Sequence, residues 1–189
     1  MKRILALASL ATLVSLQAYA QSPLTSPPPP PAGMTPPPSG ELPLAVVTTW
    51  AQSAIAACKG NGYDVTATYM NTEYVVKLVM RSDAARLGTV ELARRKAYTV
   101  IKTGKSSGDF AASVGFPNGT PIPPPAPGKP MAVPPGDNVD QNLILFAGGL
   151  PVKVGGNIVG AVSVSGAPGG DKDAACAESG LAKIAAQLK

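Results

Sequence analysis

Histidine, the side chain that most often moves protons or holds a metal near neutral pH, is absent from all 189 residues. Its absence excludes a Ser-His-Asp triad, a Cys-His pair and His-ligated zinc or haem. Gly104-Lys105-Ser106 has the ending of a phosphate-binding loop, but the pattern wants a glycine where Thr99 stands and a strand where the chain reads as helix. Nucleotide binding is therefore rejected there. Gly166-Ala167-Pro168-Gly169-Gly170 lies between a strand signal and a helix signal, a place where backbone amides cradle anions. Asp171 and Asp173 already bring negative charge to that turn, which favours a plain glycine turn with an aspartate N-cap. Asp83 with Asp173 is the one carboxylate pair worth weighing for acid-base work, and surface or capping roles suit both better.

The two cysteines, Cys58 and Cys176, fall in helices at opposite ends of the domain sequence. In an exported protein an even count points to a bridge that would tie the terminal helices together; two buried free thiols are the alternative. No CxxC spacing supports a redox-active pair.

Export is read from the N-terminus. Lys2 and Arg3 precede an apolar run from Ile4 to Leu16, too short to span a bilayer, and Ala18-Tyr19-Ala20 supplies the small residues of a cleavage site before Gln21. Residues 1–20 are thus expected to be a signal peptide, and the mature protein to be periplasmic or secreted, with no membrane attachment. Residues 21–41 are a Pro-rich linker that cannot bury a core and favours extended, solvated backbone. Lys2 and Arg3 account for two of the five net positive charges, and aromatic residues make up only 5% of the chain, so a nucleic-acid partner is not expected.

The rest, residues 42–189, reads as one domain. Val47, Ala51, Ala54, Ile55 and Cys58 recur on one helical face from Leu44 to Cys58. Tyr63 to Tyr69 and Tyr74 to Met80 read as a hairpin turning at Asn71. Thr89 to Lys102 is a second helix with Thr89 as a cap, Glu91 and Arg95 paired one turn apart, and Lys96 flanking a buried stripe of Val90, Ala93, Ala97, Val100 and Ile101. A Pro-rich loop, Pro117 to Pro135, is followed by three short strands at Leu143 to Ala147, Pro151 to Val154 and Ile158 to Ser165. A last helix starting at Asp171 to Asp173 buries Ala177, Leu181, Ile184 and Leu188. This order predicts an α+β domain built on one antiparallel sheet covered by helices.

The string from Ala147 to Asp173, AGGLPVKVGGNIVGAVSVSGAPGGDKD, followed by Cys176-Ala-Glu-Ser-Gly-Leu181, resembles the C-terminal signature of the GlcG/HbpS-like, or haem-degrading, family. Arg81-Ser82-Asp83-Ala84 and Ala93-Arg-Arg-Lys-Ala-Tyr-Thr99 are similar to that family's hairpin end and second helix. The resemblance implies a profilin-like α/β/α fold with a five-stranded antiparallel sheet, the Pro-rich loop replacing the helical segment usual between the second helix and the third strand. It implies homo-oligomers, and haem as the ligand of some members. By the same analogy a ligand groove gathers Arg81, Lys96, Gly148, Gly149 and Gly166, with Asp83, Tyr98 and Ser165 from the same motifs. With no histidine, iron would have to be met by Tyr98, Lys96, a methionine or a threonine hydroxyl. The expected function is an exported, non-catalytic binding protein for haem or another planar or anionic small molecule; the alternative is a weak haem-degrading or redox enzyme.

Overall fold

The computed structural model describes residues 40–125 and 127–189. The expected signal peptide, and the expected linker up to residue 39, lie outside the described residues. Helices α1 (Leu44–Gly60), α2 (Thr89–Thr103), α3 (Ser107–Ser113) and α4 (Gly170–Lys183) surround strands β1 (Thr66–Asn71), β2 (Val76–Arg81), β3 (Gly149–Val154) and β4 (Asn157–Ser165). The strands form one antiparallel sheet in the order β2-β1-β4-β3. Alternation along β1 sends Ala67 and Tyr69 into a core with α1 and α4, while Met70 joins Ala97 and Val100 of α2 on the other face. The result is three layers, α1 and α4, then the sheet, then α2 and α3.

The sheet has four strands rather than the expected five. Leu143 to Ala147 is apolar enough for a strand, but its backbone is satisfied elsewhere. The Leu143 carbonyl accepts from the Arg95 guanidinium, the Ile144 amide donates to Thr99 Oγ1 at 3.0 Å and the Leu145 amide donates to the Ala132 carbonyl at 2.9 Å. Pro151 sits inside β3, which the sheet tolerates because β3 is an edge. A short helix, α3, does stand between α2 and the Pro-rich loop, its first turn held by Ser106 Oγ accepting from the Asp109 amide at 3.0 Å. The loop itself packs down: Ala132, with Ile122 and Phe116, joins Ala111, Ile144 and Leu145 in a third apolar cluster.

Three local expectations for α2 also change. Val90, expected in the buried stripe, is exposed. Thr89 does not cap the helix; its hydroxyl donates to the Arg86 carbonyl at 2.6 Å and meets Thr66 Oγ1 at 2.8 Å. Glu91 pairs with Arg94 at 2.7 Å, not with Arg95, whose fork is buried under the Pro-rich loop and donates to the Met131 carbonyl at 2.7 Å as well as to Leu143. The hairpin turn falls where the sequence put it: Asn71 Oδ1 accepts from the amides of Glu73 and Val75 at 3.0 and 2.9 Å.

Helices α1 and α4 meet through Trp50, a residue outside the apolar face expected for α1. Its indole donates to the Ala177 carbonyl at 3.1 Å, and Gly180 leaves room for it, since a Cβ there would lie 2.7 Å from Trp50 Cδ1. Cys58 and Cys176 are bonded across the same seam, 118 residues apart in sequence and 5.4 Å between Cα atoms. A cross-link over that span lowers the entropy of the unfolded chain by an amount worth about 4–5 kcal/mol. Replacing both cysteines with alanine is expected to lower the unfolding free energy in urea by that order; an unchanged midpoint would show that the bridge contributes nothing.

Candidate functional site

The N-terminal half of α2, the end of β4 and the N-terminus of α4 converge on one another, and a buried charge pair stands where they meet. Lys96 projects from the sheet-facing side of α2, two turns along from Thr89, and its Nζ lies 2.6 Å from Asp173 Oδ2 and 2.9 Å from the Val164 carbonyl. Both residues are essentially inaccessible, at 1% and 3% exposure. Lys96 was expected at the solvated edge of its helix and Asp173 in a cap. The correction is physical: the apolar stem of Lys96 runs between α2 and β4, and burial of its head is tolerated because every contact it makes is to an acceptor. Asp173 in turn accepts the Ala167 amide on Oδ1 at 2.9 Å.

Burial pushes the Lys96 ammonium below its ordinary value and the Asp173 carboxyl above its own; each partner's charge, with the backbone amides of Ala167 and Gly166 at the carboxylate, works against that drift. A pair dressed in this way is satisfied as ammonium and carboxylate. It does not add stability over a well-packed apolar pair, but losing one member strands a buried charge.

Two of the expected glycines exist for this pair. Gly148, at φ +119°, leaves a gap in which a Cβ would lie 2.8 Å from Lys96 Nζ and 2.7 Å from the Val164 carbonyl. At Gly149 a Cβ would fall 2.6 Å from the Lys96 carbonyl, and its amide donates to Ser107 Oγ at 2.9 Å. Both back the pair rather than face solvent.

In front of the pair opens a cleft of about 390 Å³. Lys96, Asp173, Ser165 and Gly166 form its floor, Leu92, Met131 and Phe146 its apolar side, and Arg86 and Thr89 stand beside them. Arg86 is exposed and carries the cleft's solvent-facing positive charge. A larger hollow of about 460 Å³ opens in the Pro-rich loop; its walls are mostly proline and aliphatic, with Lys129, Asn138 and Gln141 as the polar side chains among them.

Of the expected site residues, the fold thus gathers Lys96, Gly148, Gly149, Ser165 and Gly166. Arg81 and Asp83 lie elsewhere, in a shallow hollow with Ile55 and Lys59 at the end of β2, where the Arg81 guanidinium donates to the Ala85 carbonyl. Tyr98 points from the opposite flank of α2. Its hydroxyl donates to Asp140 Oδ2 at 2.6 Å, and that bond to the carboxylate pushes the phenol up to about 12 while holding Asp140 below its usual range. The phenol is therefore neutral at physiological pH and turned away from the cleft. Arg86, Thr89, Leu92, Met131 and Phe146 join the cleft without having been among the expected site residues. Thr89, Leu92 and Lys96 share a helical face at three- and four-residue spacing, a signal that was present; Met131 and Phe146 arrive by long loops and carry none.

A family model described as haem-degrading protein HbpS-like matches residues 42–182. The crystal structure of HbpS is 26% identical, with a TM-score of 0.61 over 79% of this chain and 93% of that one. Protein ORFY of Klebsiella pneumoniae is 22% identical, with a TM-score of 0.62 over 77% of this chain and 91% of that one. A PduOC:heme complex is 18% identical, with a TM-score of 0.61 over 76% and 94%. The last two likenesses show the fold alone. No curated protein matches the chain in sequence.

Lys96→Met and Asp173→Asn are each expected to cost about 3–5 kcal/mol in urea unfolding, with Lys96→Met/Asp173→Leu recovering most of the loss. Single variants as stable as the parent would mean that the pair is not buried. Tyr98→Phe tests the other flank. A raised phenol contributes stability that is fully present below its ordinary value of 10.0 and lost as pH rises through about 12. The difference between parent and variant should therefore vanish over that window, and a difference that persists above it would remove the Tyr98–Asp140 bond from the account.

Proposed function

Because the chain belongs to the HbpS-like haem-degrading family over residues 42–182, we propose that it is an exported, self-associating protein that binds haem, or a related planar anionic ligand, in the cleft beside Lys96 and Asp173, without catalysing its breakdown. The observation that carries this reading is the cleft's make-up: an apolar side of Leu92, Met131 and Phe146 next to the exposed cation Arg86. A porphyrin presents the complement, two apolar faces and an anionic edge of propionates. Export to the periplasm or beyond is supported by the charged, apolar and small-residue order of residues 1–20.

Haem, when bound, would supply a redox-active iron, and the chain's own residues account for its retention. Leu92 and Phe146 would bury ring surface, and Arg86 would take a propionate through a charge-assisted bond. Both cysteines are committed to the disulfide and Tyr98 is on the far flank of α2, so the thioether of Met131 is the soft donor that the cleft offers to iron. Lys96 and Asp173 hold each other, which suits a rigid floor better than a proton relay. A thioether contributes less than a histidine would, so affinity rests mainly on ring burial and on Arg86.

Hemin titration of the purified chain is expected to saturate with a shifted Soret band and a dissociation constant in the micromolar range. Arg86→Ala should weaken binding by about 1.5–3 kcal/mol, Met131→Ala should alter the band, and Arg81→Ala and Tyr98→Phe should leave both unchanged. Saturation without a Soret shift, or an Arg86→Ala titration that overlays the parent, would remove haem from the cleft. Steady bleaching of the band with reductant and air would favour the enzymatic reading instead.

A further inference from the structure

Side chains alternate along β4, so Ser163 and Ser165 stand on one face of the sheet, the face that α2 covers. Ser163 gives its hydroxyl to the Ala93 carbonyl of α2 at 2.7 Å. Ser165 is also buried, at 3% exposure, but it lies on the floor of the cleft, and among the described residues no group hydrogen-bonds its hydroxyl. The polar groups around it are committed to one another: the Thr66 and Thr89 hydroxyls meet at 2.8 Å, and Lys96 Nζ is held by Asp173 and the Val164 carbonyl. A buried hydroxyl left without a partner costs stability, and one aimed into a cleft is a donor kept for what enters it.

The turn after Ser165 runs into α4, a helix of 14 residues that no side chain caps. The first amides of such a helix have no acceptor within it and carry the positive end of its dipole. Gly170, the first helical residue, lines the same cleft. The two acids of this turn do not oppose an anion there. Asp173 is neutralised by Lys96 at 2.6 Å and its other oxygen takes the Ala167 amide, while Asp171 lines the neighbouring hollow with Gly108 and Phe116. Arg86 belongs to no ion pair among the described residues. We infer that the floor of the cleft is a subsite for a small apolar monocarboxylate, the Ser165 hydroxyl and the Gly170 amide donating to its carboxylate while its apolar body lies along Leu92 and Phe146. The donors suit the two oxygens of a planar monoanion, and the apolar side gives nothing to a hydrated phosphate. At about 390 Å³ the cleft is near the lower end of the roughly 300–1,000 Å³ range of small-molecule sites. The inference rests on the cleft being a binding site, as proposed above, and not on haem as its occupant.

Benzoate carries this chemistry, and benzyl alcohol keeps its ring without the charge. In amide NMR of the purified chain, benzoate should shift the Gly170 signal saturably, and benzyl alcohol and inorganic phosphate at the same concentrations should not. Ser165→Ala should weaken benzoate about fivefold or more without lowering the urea midpoint, because in the free protein it removes a hydroxyl that bonds nothing. Ser163→Ala, outside the cleft, should lower the midpoint and leave the affinity unchanged. A Gly170 signal that benzoate leaves in place, or a Ser165→Ala titration that overlays the parent, overturns the subsite. Phosphate binding as tightly as benzoate overturns its carboxylate class. Hemin binding by a chain that ignores benzoate would remove the subsite and leave the haem reading standing, and benzoate binding by a chain that ignores hemin would do the reverse.

Discussion

The contact between Lys96 and Asp173 governs how the two helical layers are locked to the sheet. An ammonium and a carboxylate can stay buried only while each keeps its partner, and their partners come from α2, α4, the end of β4 and the turn before α4. The demand is geometric as much as electrostatic. Gly148 has no Cβ because the ammonium occupies that space, and Gly149 has none because the backbone of α2 comes within contact distance. On the opposite layer the same logic appears without charge, where Gly180 admits Trp50 and the Cys58–Cys176 bond fastens the seam. The small-residue string that carries the family resemblance is thus the consequence of close approach at one helix-sheet contact, α2 against the sheet, and one helix-helix contact, α1 against α4.

The features legible in the sequence are those set by local spacing. The three long helices, the hairpin turning at Asn71 and the strand ending at Ser165 follow from periodicity and turn chemistry; the largest shift is at the last helix, which ends at Lys183 and leaves Leu188 in a short 3-10 turn. What was not legible depends on partners far along the chain. Leu143 to Ala147 has a strand's composition, yet Arg95, Thr99 and Ala132 take its backbone groups. Lys96 reads as a surface cation because nothing near it in sequence announces Asp173, 77 residues later. Helix α3 is too short to show a period, although Ser106 three residues before Asp109 was a usable cap signal.

The cleft shows the same division. Its floor came through the motif residues Lys96, Ser165 and Gly166, whereas its apolar side depends on how the Pro-rich loop is anchored. Arg95 does that anchoring: a buried guanidinium donating to two carbonyls holds Met131 and Leu143 over α2, and the Phe116, Ile122 and Ala132 contacts seal the loop against α3. A segment whose composition suggests a free loop therefore becomes one side of the cleft, and a long insertion is accommodated without exposing the core.

The locking of both helical layers requires the Lys96 side chain to be a buried, ion-paired ammonium, and nitrogen-detected NMR of the lysine-labelled protein observes that group directly. One lysine Nζ signal should exchange with solvent far more slowly than the others, and it should disappear in Asp173→Asn. A spectrum in which all lysine ammonium groups exchange at surface rates, and which Asp173→Asn leaves unchanged, would contradict it.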